Sequence, residues 1–491
     1  MNLKVKNLNW LAGRPVVILN NETAKKLNVH VDERVAIRNS HKIYAVVDIF
    51  EKAVKTGEIG LSHEISSMLN VKSNSHIEVS PAGLSAAGQL IKRKLNGEVL
   101  TEKEVEILIS DIVQNNLTES EIAYFVAAEK IKGLSHKEII YLTKSMVENG
   151  KKIDFGKRII ADKHCAGGIA GNRTTPIVVA ICAAAGLLMP KTSSRAITSA
   201  SGTADVIETI SNVEFSAEEI KKIVLKAGAC LVWGGSLGLA PSDDKIIHVE
   251  RILNLDVEPQ LLSSIMAKKI AAGSNHILID LPYGKGAKFS KQSAAKVAKK
   301  FRTLARYFNI KVKTVLTNGE QPIGNGVGPI LEILDVLKVL QNSSDAPQDL
   351  RKKSIFLASE LMSLCGIKNS EKYAKEILES GKAFEKFKEI INLQNKKNDF
   401  DQRVRKLKLG KFKKIIKSSK SGKITEINNK SINLICRILG TPETQGAGLF
   451  LHKHLGNVKT GESLMTLYSE SKDKLKDALT YLKNHKPIII Q

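Results

Sequence analysis

The sequence predicts a multidomain α/β protein: a small β-rich N-terminal domain, a helical bundle domain and a large mixed α/β region. Three textures along the 491 residues carry that expectation. Short β-rich runs broken by Gly, Asn and Asp fill the first 84 residues. A succession of helix caps follows. Then strand, Gly-rich loop and apolar helix alternate, which is α/β organisation. The length itself asks for more than one hydrophobic core.

In residues 1–84 the runs Pro15–Leu19, Val35–Ile37 and Tyr44–Ile49 have the β-branched and aromatic content of strands, and turn residues separate them. A small barrel or sandwich is expected, ending near Ser80-Pro81-Ala82-Gly83. Residues 85–157 carry three capping boxes, Thr101/Glu104, Thr118/Glu121 and Ser135/Glu138, each ahead of apolar residues at helical spacing. A stretch at about 240–272 is assigned to the same helical domain. Residues 158–340 form the central α/β domain, and 341–491 a C-terminal α/β region with a strand-rich end. Within the central domain Ile159-Ile160-Ala161 reads as a strand, the segment through Leu188 as a buried apolar helix, and Ser216/Glu219 as a further cap. Cys230–Trp233 and His276–Asp280 read as strands. No internal repeat is visible.

Charge and composition narrow the function classes. The net charge is +25, with lysines spread along the whole chain. An anionic partner fits that balance, and so does a generally basic surface. The densest basic run, Lys396 to Lys423, reads as a solvated surface or linker. Aromatic residues make up only 5%, which disfavours an RNA binder built on base stacking. The cysteines Cys165, Cys182, Cys230, Cys365 and Cys436 are odd in number and show no CxxC spacing. That argues against a disulfide framework or zinc site and for a reducing, cytoplasmic setting. No signal peptide is apparent. The apolar run Ile177–Pro190, about 14 residues, is too short to span a bilayer.

Chemistry concentrates in a few loops. The segment Asp162 to Thr175 contains Gly167, Gly168 and Gly171, with Lys163 and Arg173 for charge and Thr174 for a hydroxyl, and it enters a helix. Glycines let backbone amides approach an anion, and the helix start adds its positive end. The contiguous Gly-Lys-Ser/Thr of a P-loop is absent, so an ATPase reading falls behind. The segment Lys191 to Asp205 has seven Ser or Thr among fifteen residues, beside Lys191 and Arg195. Hydroxyls plus a guanidinium suit a dianionic phosphate, which Arg can grip bidentately. Ser264 and Lys268 share one helix face at i, i+4 spacing. Gly284-Lys285-Gly286-Ala287-Lys288 follows a strand, where α/β proteins bind ligands.

These segments, with Ser263-Ser264-Ile265-Met266-Ala267-Lys268-Lys269 and, near the end, Gln445–Gly448 and Leu451-His452-Lys453, resemble the thymidine and pyrimidine-nucleoside phosphorylase family. The resemblance covers nearly the whole chain. The β-rich extension and Ser193–Ser199 resemble the type 2 branch, to which AMP phosphorylases belong. The fold implied is that of the class II nucleoside phosphorylases. The activity implied is reversible phosphorolysis of the N-glycosidic bond of AMP, with CMP and UMP as further substrates, giving free base and ribose 1,5-bisphosphate. The alternative is phosphorolysis of thymidine to thymine and 2-deoxyribose 1-phosphate.

By resemblance, Lys163, Thr174, Ser193 and Thr203 surround the attacking phosphate. Gly168, the run Ser194, Arg195, Ala196, Ile197, Thr198 and Ser199, then Thr203, Ser264 and Lys288 contact the nucleotide. Asp256 is the proton donor and Lys268 a base-side lysine. No cofactor or metal is implied; inorganic phosphate is the co-substrate. No membrane or nucleic-acid partner is implied, and the family assembles as homodimers or larger homo-oligomers. Two departures stand out. Many members have Ser where this chain has Cys165, and a thiol is a weaker hydrogen-bonding group. Arg251 aligns only approximately, with a gap before Asp256.

Overall fold

The computed structural model describes residues 1–491 except 40, 41, 84, 157, 197, 198 and 254. The chain divides into two compact units, residues 1–149 with 240–264, and residues 150–239 with 265–491.

The first unit begins with a closed six-stranded barrel of order β1-β5-β2-β4-β3-β6. Its strands are β1 Asn2–Asn7, β2 Val16–Leu19, β3 Arg34–Arg38, β4 Lys42–Ile49, β5 Glu58–Leu61 and β6 His76–Pro81. Alternation builds it: in β1, Leu3 and Val5 point inward and their neighbours outward, and in β4 Ile43, Ala45 and Val47 do the same. Closure leaves no strand edge open for pairing with another chain. Two short helices, Asn21–Leu27 and His63–Leu69, also lie in this region. The sequence does not single out either one, because seven residues are too few to show a clear helical period.

Helices Ala86–Leu95, Glu102–Val113, Glu119–Lys132 and His136–Glu148 follow, and Pro241–Leu253 completes this unit with the start of Glu258–Ala271. All three expected capping boxes form, with both reciprocal hydrogen bonds in each. Two helices are also pinned by a buried ion pair, Lys94 Nζ to Glu138 Oε1 at 2.7 Å, and that same oxygen accepts the Leu100 amide at 3.0 Å.

The second unit is built on parallel strands: β7 Ala161–Cys165, β8 Met189–Ser193, β9 Ala229–Trp233, β10 His276–Tyr283 and β11 Lys311–Asn318. They form two sheets, β11-β10-β7 and β8-β9. Among the described residues, the isolated bridge Ile160↔Leu188 is the one backbone pairing between the β7 and β8 segments. The helix Thr174–Ala184 is buried almost all round, and helices Pro329–Leu340, Gln348–Leu364, Ser370–Glu379 and Lys382–Asn395 pack with it into one core. Gln394 covers the outer edge of β9, accepting from the Leu231 amide at 2.8 Å and donating to its carbonyl at 3.1 Å.

The C-terminal part adds a four-stranded sheet of order β12-β15-β17-β13 and a three-stranded sheet of order β16-β14-β18. Here β12 is Gly326–Val327, β13 Phe412–Lys417, β14 Gly422–Ile427, β15 Gly448–Leu451, β16 Gly456–Val458, β17 Ser463–Ser469 and β18 Ile488–Ile490. Helices Asn429–Leu439 and Lys472–Asn484 pack over these strands.

Three sequence expectations change. The apolar helix stops at Ala184 rather than Leu188; Gly186 turns the chain with φ 89°, and Met189–Ser193 is a buried strand. The segment Asp162–Cys165, read as loop, is strand β7, so Lys163 sits on the sheet. Of the two readings of the basic run Lys396–Lys423, the linker gives way and the solvated surface stands: the run contains the helix Phe400–Arg405 and strand β13, and its lysines are exposed. Among the described residues no helix is long and apolar enough to cross a membrane.

Candidate active site

In the second unit every loop singled out by the sequence leaves the carboxyl end of a parallel strand. Residues 166–173 follow β7, residues 194–202 follow β8, and Gly284–Lys288 follows β10. That end of an open parallel sheet is where ligands bind in α/β folds. Gly168 shows how closely two of these loops approach. It has φ +93°, and a Cβ there would lie 3.1 Å from the Lys288 amide nitrogen. Only glycine meets both conditions.

Lys163 lies on β7 and is fully buried (0% exposed). Its ammonium donates to Thr174 Oγ1 at 2.8 Å and Thr175 Oγ1 at 3.4 Å, at the start of the buried helix. Burial lowers its pKa, and the negative charge of Asp280 acts against that shift. Cys165 is two residues along the strand, on the same face as Lys163. Burial raises the pKa of its thiol, so it is held neutral and is a poor anion donor. Asn172, at φ 55°, donates its amide to that sulfur at 3.4 Å, and its Oδ1 is buried without a partner.

The second loop is fixed mostly by side chains from elsewhere. Asp205 Oδ2 accepts the amides of Ala196 and Gly202, both at 2.7 Å. Asn433 Oδ1 accepts Ala200 N, and Asn429 Oδ1 accepts Ala170 N, each at 3.0 Å. One helix of the C-terminal part therefore supports both loops. Arg173 joins them directly: it donates to Thr203 Oγ1 at 2.7 Å, to the Ser201 carbonyl at 2.9 Å and to buried Glu332 at 2.7 Å. Ser199 Oγ donates to the Ser201 carbonyl at 2.8 Å. Ser193 Oγ, at the end of β8, is buried and has no hydrogen-bond partner among the described residues. A buried hydroxyl left unpaired is costly unless a ligand completes it.

Arg195 departs from its expected geometry. Instead of presenting a free fork to phosphate, its guanidinium is taken by carboxylates: Glu208 through both terminal nitrogens at 2.5 and 2.8 Å, and Asp205 and Glu214 at 3.4 Å each. It also lies 4.7 Å over the Trp233 ring. These partners raise its pKa, the Glu208 hydrogen bonds first. Bidentate phosphate binding would require it to release Glu208. Ser194 precedes it in the same loop, and its carbonyl accepts Ala204 N at 3.4 Å. Ile197 and Thr198 lie outside the described residues.

In the first unit, Ser264 donates to Asp243 Oδ2 at 2.7 Å, and Gln260 donates to Asp243 Oδ1 at 2.8 Å. The backbone carbonyl of Asp256 accepts Lys130 Nζ at 3.2 Å. Ser264 and Lys268 lie on the same helix, Glu258–Ala271. Among the described residues no group of three or more His, Cys, Asp or Glu side chains is placed to hold a metal ion.

Sequence reading missed several supporting groups. Glu332, Asn429 and Asn433 lie far along the chain, and nothing in their local pattern marks them. Asp162, Lys191 and Lys269 belong to the motifs the sequence singles out, Lys191 as a charge of the hydroxyl-rich loop, but their burial and mutual pairing are visible only in the fold. His164, held well below its ordinary pKa by burial and by Lys269, Lys191, Lys163 and Lys268, is a neutral imidazole in this cluster.

Comparison with known proteins divides the chain into three matched segments, and the second of them includes residues 240–264 of the first unit. The glycosyl transferase family helical bundle domain matches residues 88–150, and the glycosyl transferase family a/b domain matches residues 157–384. The pyrimidine nucleoside phosphorylase C-terminal domain matches residues 423–488. The AMP phosphorylase of Pyrococcus furiosus is 42% identical over 100% of this chain and 98% of its own. That of Thermococcus kodakarensis is 41% identical, with the same coverage. That of Methanococcoides burtonii is 40% identical over 100% of this chain and 97% of its own.

The chain belongs to the AMP phosphorylase family.

Anthranilate phosphoribosyltransferase from Thermus thermophilus shares the fold at a TM-score of 0.52 and 18% identity, covering 63% of this chain and 99% of that one. The AMP phosphorylase family therefore shares its architecture with an enzyme of a different name. Membership makes the chain a pentosyltransferase of the phosphorylase type. Within that frame, the carboxyl-end loops gather Lys163, Thr174, Ser193, Thr203 and Gly168 in one unit.

Proposed function

We propose that this protein catalyses reversible phosphorolysis of AMP, releasing adenine and forming ribose 1,5-bisphosphate. Full-length similarity to proteins named AMP phosphorylase carries the reading. Two anion-suited loops on neighbouring strands support it, because AMP and inorganic phosphate bring two anions to one site.

Phosphate attacks the anomeric carbon of the ribose as the base departs, through an oxocarbenium-like state of the kind known in glycosyl cleavage. An anion held below the sugar stabilises that cation and then bonds to it. The Ser193 hydroxyl, without a partner among the described residues, is available to donate to that anion, and Thr174 and Thr203 are held in place by Lys163 and Arg173. The chain's contribution is positioning and preorganised charge. Asp256 is assigned as proton donor to the leaving base, on the resemblance alone. Lys288, Ser264, Lys268 and the loop from Ser194 to Ser199 are assigned to the nucleotide. The homo-oligomeric assembly implied by the family belongs to the same proposal.

The test is phosphorolysis of AMP, CMP, UMP, adenosine, uridine and thymidine, with released base measured by chromatography. AMP is expected to give the highest kcat/KM. A preference for thymidine or uridine over every nucleoside monophosphate would replace this reading with thymidine phosphorolysis.

A further inference from the structure

The two parallel sheets of the second unit part company just below the loops that follow β7 and β8, and charged side chains fill the gap. Parallel pairing between β7 and β8 stops after the Ile160↔Leu188 bridge. Beyond it, each strand has an edge that faces the other without a partner strand. On β8, the Ser193 carbonyl faces β9, where it accepts Gly234 N at 2.9 Å. Alternation along a strand then turns the Thr192 carbonyl toward β7. On β7, the Ala161 amide faces β8, where it donates to the Leu188 carbonyl at 2.8 Å, so the Lys163 amide faces the same way.

One backbone group on each edge is satisfied by this cluster. The Thr192 carbonyl accepts Lys191 Nζ at 2.6 Å and Lys269 Nζ at 3.3 Å. The Lys163 amide donates to Asp162 Oδ1 at 2.7 Å. Asp162 binds the lysines together, its Oδ2 lying 2.8 Å from Lys269 Nζ and its Oδ1 3.5 Å from Lys191 Nζ. All three side chains are buried. A buried ion cluster is expensive, and leaving any member unpaired is more so. The residues fixed by this arrangement are Lys163 and, next to Thr192, Ser193 with its unpartnered buried hydroxyl.

We propose that Asp162, Lys191 and Lys269 form a positioning cluster that holds the β7 and β8 strand ends apart at a fixed spacing and aims the Ser193 hydroxyl at inorganic phosphate. With Lys191 protonated, the cluster also places a net charge of +1 beneath the anion, from two ammonium groups and one carboxylate. It rests on the phosphorolysis reading for the identity of the anion. Its neighbours are Lys163 and His164 on β7, Cys230 on β9, and Lys268 on the helix that carries Lys269. Ser274 reaches Asp162 Oδ2 at 3.5 Å.

Burial pulls Lys191 down to about 7, with Asp162 acting against it and Lys269 alongside it. The sign is then fixed. Below that value Lys191 is charged and assists a dianion; as pH rises through it, the charge and the assistance are lost. Bound anion raises the Lys191 pKa, so a proton is taken up with it.

The experiment compares Lys191→Met, Ser193→Ala and the double variant. KM for phosphate and KM for the nucleotide or nucleoside that wild type turns over are measured separately. Each single variant is expected to raise phosphate KM by roughly tenfold or more, the scale of a lost charge-assisted contact, with a much smaller change in the other KM. Because the positioning part of the Lys191 effect acts through Ser193 while its charge acts on the anion directly, the double variant should fall clearly short of the product of the two single effects. Multiplying effects in the double variant, or equal effects on both KM values, would overturn the proposal.

Should Lys191→Met fail to fold, wild type alone decides. Sulfate, which stays dianionic across neutral pH, is used as an inhibitor competitive with phosphate. Its inhibition constant should rise several-fold between pH 6 and 8.5 as Lys191 discharges. A flat profile would overturn the proposal. Either result is independent of substrate choice, since a chain that prefers thymidine still binds phosphate here.

Discussion

Replacing Arg195 with Ala separates two ways in which a guanidinium helps an anionic substrate. Around Arg195 the structure places three carboxylates, Asp205, Glu208 and Glu214, so the local balance is one positive charge against three negative, or −2. Arg195→Ala makes it −3, beside the loop assigned to the substrate phosphate. The structural cost is small. Glu208 and Glu214 are 36% and 60% exposed, so their pairs are screened, and Asp205 keeps the amides of Ala196 and Gly202. A stability loss of about 1 kcal/mol is expected. The functional cost is larger, about 1.5–3 kcal/mol of charge-assisted interaction, or roughly ten- to a hundredfold in kcat/KM for AMP. Adenosine, with no phosphate, should lose less than about threefold on the same argument. The deciding variant is Arg195→Ala/Glu208→Gln, which returns the local balance to −2. If Arg195 works by neutralising its carboxylates, the double variant recovers most of the loss. Steady-state kinetics with AMP and adenosine on all three proteins, alongside thermal melts, measure this. A double variant as poor as Arg195→Ala would refute charge compensation and point to direct contact with phosphate. Equal losses for AMP and adenosine would refute both.

Other predictions follow from single features. Asp256→Asn should lower kcat by two orders of magnitude or more while leaving phosphate KM nearly unchanged, as for a lost general acid; near-normal turnover would remove Asp256 from the chemistry. Gly168→Ala should weaken substrate binding by about 1–3 kcal/mol, because a side chain at φ +93° is strained and its Cβ presses the Lys288 amide from 3.1 Å; wild-type KM values would show that the two loops need not approach. Glu129, in the helix Glu119–Lys132, is buried with both carboxyl oxygens unpartnered, and burial first, then Glu250, raises its pKa well above the usual value. A raised folded-state pKa means its favourable contribution is complete at acid pH and lost as pH rises through that pKa. The Tm of Glu129→Gln relative to wild type should therefore climb from pH 4.5 to pH 8, and a difference that does not change with pH would contradict the assignment.

What the sequence revealed of the fold depended on how local each signal is. Capping boxes place donor and acceptor three residues apart, so Thr101/Glu104, Thr118/Glu121, Ser135/Glu138 and Ser216/Glu219 can be read directly, and all four form. Barrel strands with one buried face announce themselves by alternation. Strand β8 does not. Met189–Thr192 are all buried, so no alternation exists, and the run continues the apolar texture of the preceding helix. Gly186 was the available signal for a break, since a glycine after an apolar helix is where a left-handed turn ends it.

The site was legible in its loops and illegible in its foundations. Glycines, hydroxyls and Lys163 are the residue types that anion binding requires, and they cluster along the chain because a strand-end loop is short. The groups that hold them are distant: Asn429 and Asn433 reach back from the C-terminal part to the Ala170 and Ala200 amides, and Glu332 anchors Arg173 and Ser201. No spacing rule links such positions, because the requirement is met by three-dimensional proximity to an unpaired amide or guanidinium. The same reasoning explains Arg195. Sequence shows a guanidinium among hydroxyls, which is the composition of a phosphate clamp, but Glu208 and Glu214 lie outside that segment and alter what the guanidinium does. Charge at a loop is therefore a property of the fold around it, and the substrate's phosphate meets the sum of Arg195 and its three carboxylates rather than the arginine alone.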